Sequence, residues 1–255
     1  MPLQPSPLAL TKEGILTYGS FGSGKTHAWA SIRRWYELTD TPGRFFIIST
    51  EHEMAHRTAE GYLDGTPGNN FFSNAEIHET VDFASLLDVA QKCREQATDQ
   101  DWIVVDSIGN AWNWVQDEQT IAQFGKTASE YRADGGKRMD WQKTNERYRS
   151  FLLPNVLRWP GHKFLCAQAD KVSTEGDWAD PIEIQRKYRP FNSQKPIGQK
   201  ELPFQCHSVL FFSHPAKDDY RISTVDDPSR EKLDDKPVAD FVTSYLCGPA
   251  GWSVA

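Results

Sequence analysis

Short runs of consecutive apolar residues alternate along this chain with longer stretches in which apolar residues return every three or four positions. The first run, residues 15–18, is followed over 26–38 by Trp29, Ile32 and Tyr36 at helical spacing, so a strand and then an amphipathic helix are expected. Phe45–Ser49 is near-continuously apolar, as a strand buried on both faces must be. A weaker strand is expected at 75–79. A helix over 82–97 follows, with Asp82 as N-cap and Phe83, Leu86, Leu87, Ala90 and Cys93 on one face. Residues 102–105 and 163–167 are further buried-strand candidates, separated by a polar region and a helix expected over 141–157. Strands at 207–213 and 220–225, joined by a His-Pro turn, and a closing helix near 238–246 complete the pattern. Strand and helix in alternation predict an α/β fold with a mostly parallel central sheet and helices on its faces.

Composition changes this picture little. With 255 residues, 38% hydrophobic and 25% charged, the chain can build a sizeable core, and collagen-like or fully disordered classes are excluded. One domain over 14–255 is expected, after a proline-marked lead-in at 1–13. It carries a polar, helical insertion at 119–149 and a basic loop at 169–200. The longest apolar runs are four residues, far short of a membrane span, and the first ten residues have no secretory pattern. Four scattered cysteines without a CxxC pair fit a reducing, cytoplasmic setting. The formal net charge of −7 argues, taken whole, against a nucleic-acid ligand.

The strongest chemical signal is Gly19-Ser20-Phe21-Gly22-Ser23-Gly24-Lys25-Thr26, which fits GxxxxGK[ST]. Gly19, Gly22 and Gly24 let backbone N–H groups, with that of Ser23, curl around a phosphate. Lys25 places a point charge on the β/γ oxygens and the Thr26 hydroxyl is a ligand for Mg²⁺. An expected strand enters the loop and an expected helix leaves it, as the motif requires. A second motif, His52-Glu53-Met54-Ala55-His56, spells the HExxH of zinc proteases, with Glu76 as a conceivable third ligand. It follows directly on the Phe45–Ser49 run instead of lying mid-helix, so a zinc metalloprotease is the distant alternative. Asp106 ends the 102–105 run, where a carboxylate behind a phosphate loop anchors Mg²⁺; a helix N-cap is the bland alternative.

The order of phosphate loop, strand ending in an acidic residue, strand ending Asp-Ser and strand ending in Gln resembles the RecA-like P-loop ATPase core. Within it, the chain looks like the compact phage recombinase and annealing-type ATPases. The resemblance covers about residues 14–230 and implies a three-layer P-loop NTPase that uses ATP and Mg²⁺. It implies that Glu51, in Phe46-Ile-Ile-Ser-Thr-Glu51-His52, orients the attacking water. It implies also that Gln168, closing Lys163-Phe-Leu-Cys-Ala-Gln168, senses the γ-phosphate and starts a DNA-binding loop. Two departures stand out. Motor ATPases usually place Glu directly after the strand-end Asp, where this chain has Ser107. The late-strand Lys that reaches a neighbour's nucleotide is replaced by the acidic Thr224-Val-Asp-Asp-Pro-Ser-Arg230, leaving Arg230 as the candidate finger in trans.

The placement of charge revises the first inference from −7. Residues 182–200 carry five cations against one acid, a balance of +4, with Tyr188 and Phe191 interleaved among Arg186, Lys187, Arg189, Lys195 and Lys200. Residues 119–149 carry seven cations against four acids, a balance of +3, so the other 205 residues hold −14. Cations that displace counterions beside rings that stack on bases are what single-strand binding requires. An ordinary solvated charged loop is the alternative. Trp112 and Trp114 are a second candidate platform, for which buried packing is the preferred reading. The expectation is an ATP-hydrolysing protein, DNA-stimulated, that binds single-stranded DNA in recombination, annealing or replication, with a homo-oligomer as a possible assembly. The alternatives are a ring-forming DNA translocation or packaging motor and a nucleotide-dependent scaffold with little hydrolysis.

Overall fold

The computed structural model describes residues 3–5, 12–51, 74–136, 139–176, 179–228 and 230–254. After a short strand β1 (Leu3–Pro5), the chain builds β2 (Gly14–Gly19), α1 (Lys25–Leu38), β3 (Phe45–Ser49), β4 (Ala75–Glu79) and α2 (Phe83–Gln96). Then come β5 (Trp102–Asp106), α3 (Ile108–Phe124), α4 (Ala128–Ala133), α5 (Trp141–Phe151) and β6 (His162–Lys171). The last part holds α6 (Ile182–Tyr188), β7 (Gln194–Pro196), β8 (Ser208–Ala216), β9 (Asp219–Asp226), β10 (Lys236–Pro237) and β11 (Trp252–Val254).

Among the described residues nine of these strands form one sheet in the order β10-β9-β8-β2-β6-β5-β3-β4, with β7 on β6, while β1 and β11 pair antiparallel on their own. The pairs from β8 through β4 are parallel, whereas β9, β10 and β7 add antiparallel. The continuous apolar strands exist because both sheet faces are covered, and their side chains divide by parity. Ile15, Phe45, Ile47, Trp102, Val104, Phe164 and Cys166 join Trp29, Ile32 and Tyr36 of α1 and the C-terminal Phe241, Tyr245 and Trp252. Leu16, Tyr18, Phe46, Ile48, Ile103, Val105 and Leu165 face α2, α3 and α5 through Leu86, Ala111, Val115, Tyr148 and Phe151. Helix, sheet and helix therefore make the expected three-layer α/β architecture.

Three local expectations are corrected. The helix expected over 141–157 is α-helical to Phe151, then opens into a wider turn over Leu152–Leu157, where Arg158 N–H donates to Leu153 O at 3.1 Å. Pro154 lies in that segment, has no N–H to give, and clashes with a regular helix, so the wider turn accommodates it. The late hairpin does not turn at His214-Pro215: both lie in β8, at a register irregularity between Ser213 and Ala216, where a proline costs no ladder bond. The chain reverses instead at Lys217-Asp218, with Asp218 at φ 64°. The closing helix is shortened to a wide turn over Val242–Leu246, because Val238 N–H is engaged by Tyr220 O at the sheet edge.

At the N-terminal edge of the sheet a buried polar cluster ties distant parts of the chain together. Glu13 accepts from both Arg230 Nη2 contacts, at 2.8 and 2.9 Å, and from Trp252 Nε1 at 2.9 Å. Its backbone N–H donates to His162 Nδ1 at 3.0 Å, which requires that nitrogen to be unprotonated. Burial first, and then the Lys12 charge, push the His162 pKa down to about 4 from its ordinary value of 6.5. The unfolded chain therefore binds more protons than the folded one between those values, so stability is complete above pH 6.5 and falls as pH drops toward 4. At about 1.4 kcal/mol per pH unit, the wild type should lose on the order of 2 kcal/mol between pH 6.5 and 5. Urea unfolding at the two pH values checks this, with His162→Gln expected to lose less over the same interval.

Candidate nucleotide site

The phosphate loop connects β2 to α1 at the carboxyl edge of the sheet, between the ends of β6 and β8. Gly19 is required by proximity: a Cβ there would collide with the Phe212 carbonyl oxygen of β8 and with Ser23 Oγ. Gly24 caps α1 in the left-handed conformation, φ 95°, which brings the first turn's N–H groups into the loop. Tyr220 packs against Gly24 from the β8–β9 hairpin and stacks on His214 with ring centroids 4.4 Å apart. Phe21, at the loop tip, is 77% exposed.

Lys25 is buried and folds back onto its own loop. Its Nζ donates to Gly19 O at 3.0 Å, to Ser20 O at 2.8 Å and to Ser23 Oγ at 3.4 Å. Burial lowers its pKa, opposed by the nearby Cys166, Asp106 and Glu51. An ammonium whose hydrogen bonds go to two carbonyl oxygens and a hydroxyl in a desolvated loop lacks a directly bonded carboxylate, which suits it to a phosphate. Beside it, Thr26 Oγ1 donates to Asp106 Oδ2 at 2.8 Å, and the same oxygen accepts from Trp29 Nε1 at 3.1 Å. Trp29 thus fixes the carboxylate's orientation from within α1. Sequence reading assigned it only to the helix face, because the indole N–H contact depends on β5 reaching α1 in space.

The two remaining strand ends complete the edge. Glu51 follows β3 and Gln168 lies in β6, and Gln168 Nε2 donates to Glu51 Oε1 at 3.3 Å. Thr50 braces the same edge: its N–H donates to Asp106 O at 2.8 Å, while its hydroxyl accepts from Ser107 N–H at 2.8 Å and from Asn110 Nδ2 at 3.0 Å. Ser107, the position where motors carry Glu, is buried and presents no carboxylate. The structure therefore brings Lys25, Thr26, Asp106, Glu51 and Gln168 to one edge, although they come from the start of α1, the ends of β3 and β5 and the later part of β6.

Other sequence candidates are placed differently. Arg230 is 5% exposed in the Glu13 cluster at the opposite edge of the sheet, where its guanidinium is consumed by Glu13, Ser208 and Tyr245. Arg230 is thus engaged within its own chain and does not join the nucleotide edge of that chain. The 169–200 segment is a folded arm, not an open loop: β6 continues to Lys171, α6 follows, and β7 returns antiparallel on β6. Tyr188 is 3% exposed, edge-on to Tyr18, and its hydroxyl is pushed up to about 12 by burial, so it offers no face to a base. Phe191 is half-buried against Phe211. Lys187 is paired with Asp226 at 2.6 Å and Lys195 with Asp180 at 2.5 Å. Arg186, Arg189 and Lys200 are exposed. The HExxH motif at His52, Glu53 and His56 lies outside the described residues, while Glu76 is in β4, 3.5 Å from Arg44. No helix among the described residues is long and apolar enough to cross a membrane.

A glycine-rich phosphate loop between a parallel strand and a helix, faced by carboxylates from neighbouring strand ends, defines a P-loop NTPase of RecA-like fold. The fold is shared with 333 chains of solved structures. One of them, a crystal structure of the RadB recombinase, has a TM-score of 0.52 at 14% identity, with 88% of this chain and 84% of that chain covered. At that identity the likeness is one of fold. In sequence, residues 11–220 match the AAA domain family, and the chain belongs to it. Among curated proteins none matches the sequence.

Proposed function

We propose that this protein hydrolyses ATP and binds single-stranded DNA, with nucleotide state setting its affinity for the strand, in recombination, annealing or replication of the phage type. One observation carries the reading: Lys25, the Thr26–Asp106 pair and the Glu51–Gln168 pair converge at one sheet edge. Lys25 and the loop N–H groups of Gly22, Ser23 and Gly24 hold the β- and γ-phosphates, with Gly19 permitting the turn. The Thr26 hydroxyl and the Asp106 carboxylate, 2.8 Å apart, are hard oxygen donors of the kind Mg²⁺ takes, directly or through water. When bound, the ion would neutralise charge on the phosphate oxygens. Glu51 accepts a hydrogen bond from the attacking water and aligns it, and Gln168 holds that carboxylate through its amide. Because Gln168 lies in β6, whose continuation forms the 169–200 arm, a change in its side-chain partner is felt by the arm.

The assembly of the 14–255 segment as one ATPase domain is part of the same proposal. Arg230 lends no support to a ring or filament contact, which weighs against the packaging-motor alternative.

Three exposed cations on the arm, Arg186, Arg189 and Lys200, are available to a phosphate backbone. At about 0.7 per neutralised phosphate on single strands, log Kd should change with log salt concentration with a slope of about 2 in magnitude. Replacing Arg186 and Arg189 with glutamine should lower that magnitude by about 1.4. Titration of a labelled oligonucleotide between about 50 and 200 mM salt reads this directly. Binding without salt dependence would remove the arm from the proposed interface.

A further inference from the structure

A cleft of about 830 Å³ opens between the α3–α5 layer and the β6–β7 arm, in the size range of about 300–1,000 Å³ usual for ligand sites. One wall is a pair of indoles. Trp112 of α3 and Trp141 of α5 stack with ring centroids 6.3 Å apart and planes 17° apart, and Tyr148 supports Trp112 edge-on from behind. Trp141 is 37% exposed, at the first residue of its helix. The other wall is the segment from Ile197 to Lys200.

The polarity of the lining selects among occupants. Lys195 neutralises Asp180 and Arg149 pairs with Glu201, which leaves Arg132 and Lys200 against Asp170. The interior is thus close to neutral and supplied with side-chain amides, including Asn145, while exposed Arg186 and Arg189 lie on the neighbouring helix and turn. A flat, neutral group with hydrogen-bonding edges fits the interior, and a phosphate chain fits the cationic surroundings. The far wall is also joined to the nucleotide edge. Ile197 N–H donates to Gln168 O at 2.8 Å, and a Cβ on Gly109, three residues after Asp106, would lie 3.1 Å from Ile197 Cγ2. Movement at the end of β5 or β6 is therefore transmitted to the Ile197 wall by direct contact.

We infer that this cleft takes unstacked bases of a single-stranded nucleic acid, with Trp141 as the stacking face and Trp112 as its fixed support. The inference rests on the strand-binding reading above and corrects its details, since the stacking platform moves from Tyr188 to the Trp112–Trp141 pair. The test compares three labelled probes of equal length, a thymidine oligonucleotide, its abasic counterpart and a uridine oligonucleotide. Wild type, Trp141→Ala and Trp141→Phe are titrated with each, after circular dichroism shows that both variants keep the wild-type fold. Base stacking predicts that Trp141→Ala weakens thymidine-probe binding by about 5- to 150-fold, that Trp141→Phe restores most of it, and that the abasic probe is bound equally by all three proteins. The uridine probe separates RNA from DNA as the source of the base. Unchanged thymidine-probe affinity in Trp141→Ala, or an equal loss on the abasic probe, overturns the cleft assignment while leaving strand binding intact. Failure of the wild type to bind any probe overturns both.

Discussion

Lys25→Ala should weaken nucleotide binding and abolish turnover. The ammonium is buried in the loop, where it is held by Gly19 O and Ser20 O and lies close enough to feel Asp106 and Glu51. Removing it leaves Gly19 O and Ser20 O without this donor, and takes away the positive charge that would meet the β- and γ-phosphates. A charge-assisted contact in such a setting contributes roughly 1.5–3 kcal/mol to binding, so affinity should fall by about 10- to 150-fold. Turnover should fall further, because the same charge acts on the transferring phosphoryl group. Calorimetric titration with ATP and a phosphate-release assay on the same preparation check the two parts. The fold should survive, since Lys25 contributes to no hydrophobic cluster. An enzyme that keeps wild-type turnover without Lys25 would remove the phosphate-loop reading.

Glu51→Gln should separate binding from chemistry. The carboxylate follows the end of β3 and accepts from Gln168 Nε2 at 3.3 Å. An amide of the same shape keeps the size and loses the proton acceptor. ATP affinity should therefore stay within about threefold of wild type, by the usual scatter for isosteric changes, while hydrolysis falls by about 10²-fold or more, the range for loss of a general base. A Kd from equilibrium titration and a single-turnover rate distinguish these. Retained hydrolysis would transfer the water-positioning role to another group, with Ser107 excluded because it carries no carboxylate.

The sheet and the nucleotide edge were legible in the sequence to different depths. The buried strands at Phe45–Ser49 and Trp102–Asp106 announced themselves because a strand covered on both faces must be apolar at every position. The Thr26–Asp106 and Glu51–Gln168 pairs were readable because parallel strands bring their carboxyl ends to one edge, so strand-end residues become neighbours whatever their separation in sequence. The fate of Arg230 was not readable. Its partner Glu13 lies at the other end of the chain, and the cluster also draws on Trp252. An arginine after a late strand therefore pointed to the nucleotide edge in sequence, and to the opposite edge in space. The 169–200 arm was misread for a related reason. Asp180 and Asp226, which neutralise Lys195 and Lys187, are outside the basic run that counting charges isolates. The Trp112–Trp141 pair escaped notice because its two members are on different helices and meet only when α3 and α5 pack on the same sheet face.

The central claim is that the carboxyl edge built from Lys25, Thr26, Glu51, Asp106 and Gln168 carries out phosphoryl transfer to water in response to a bound strand. It is tested most directly by the rate of phosphate release from ATP by the 255-residue chain, measured with and without Mg²⁺ and with and without a single-stranded oligonucleotide. The predicted result is release that requires Mg²⁺, is raised by the oligonucleotide and is absent in Lys25→Ala. Release that is indifferent to Mg²⁺ and persists in Lys25→Ala, or no release in the presence of both Mg²⁺ and the strand, would contradict it.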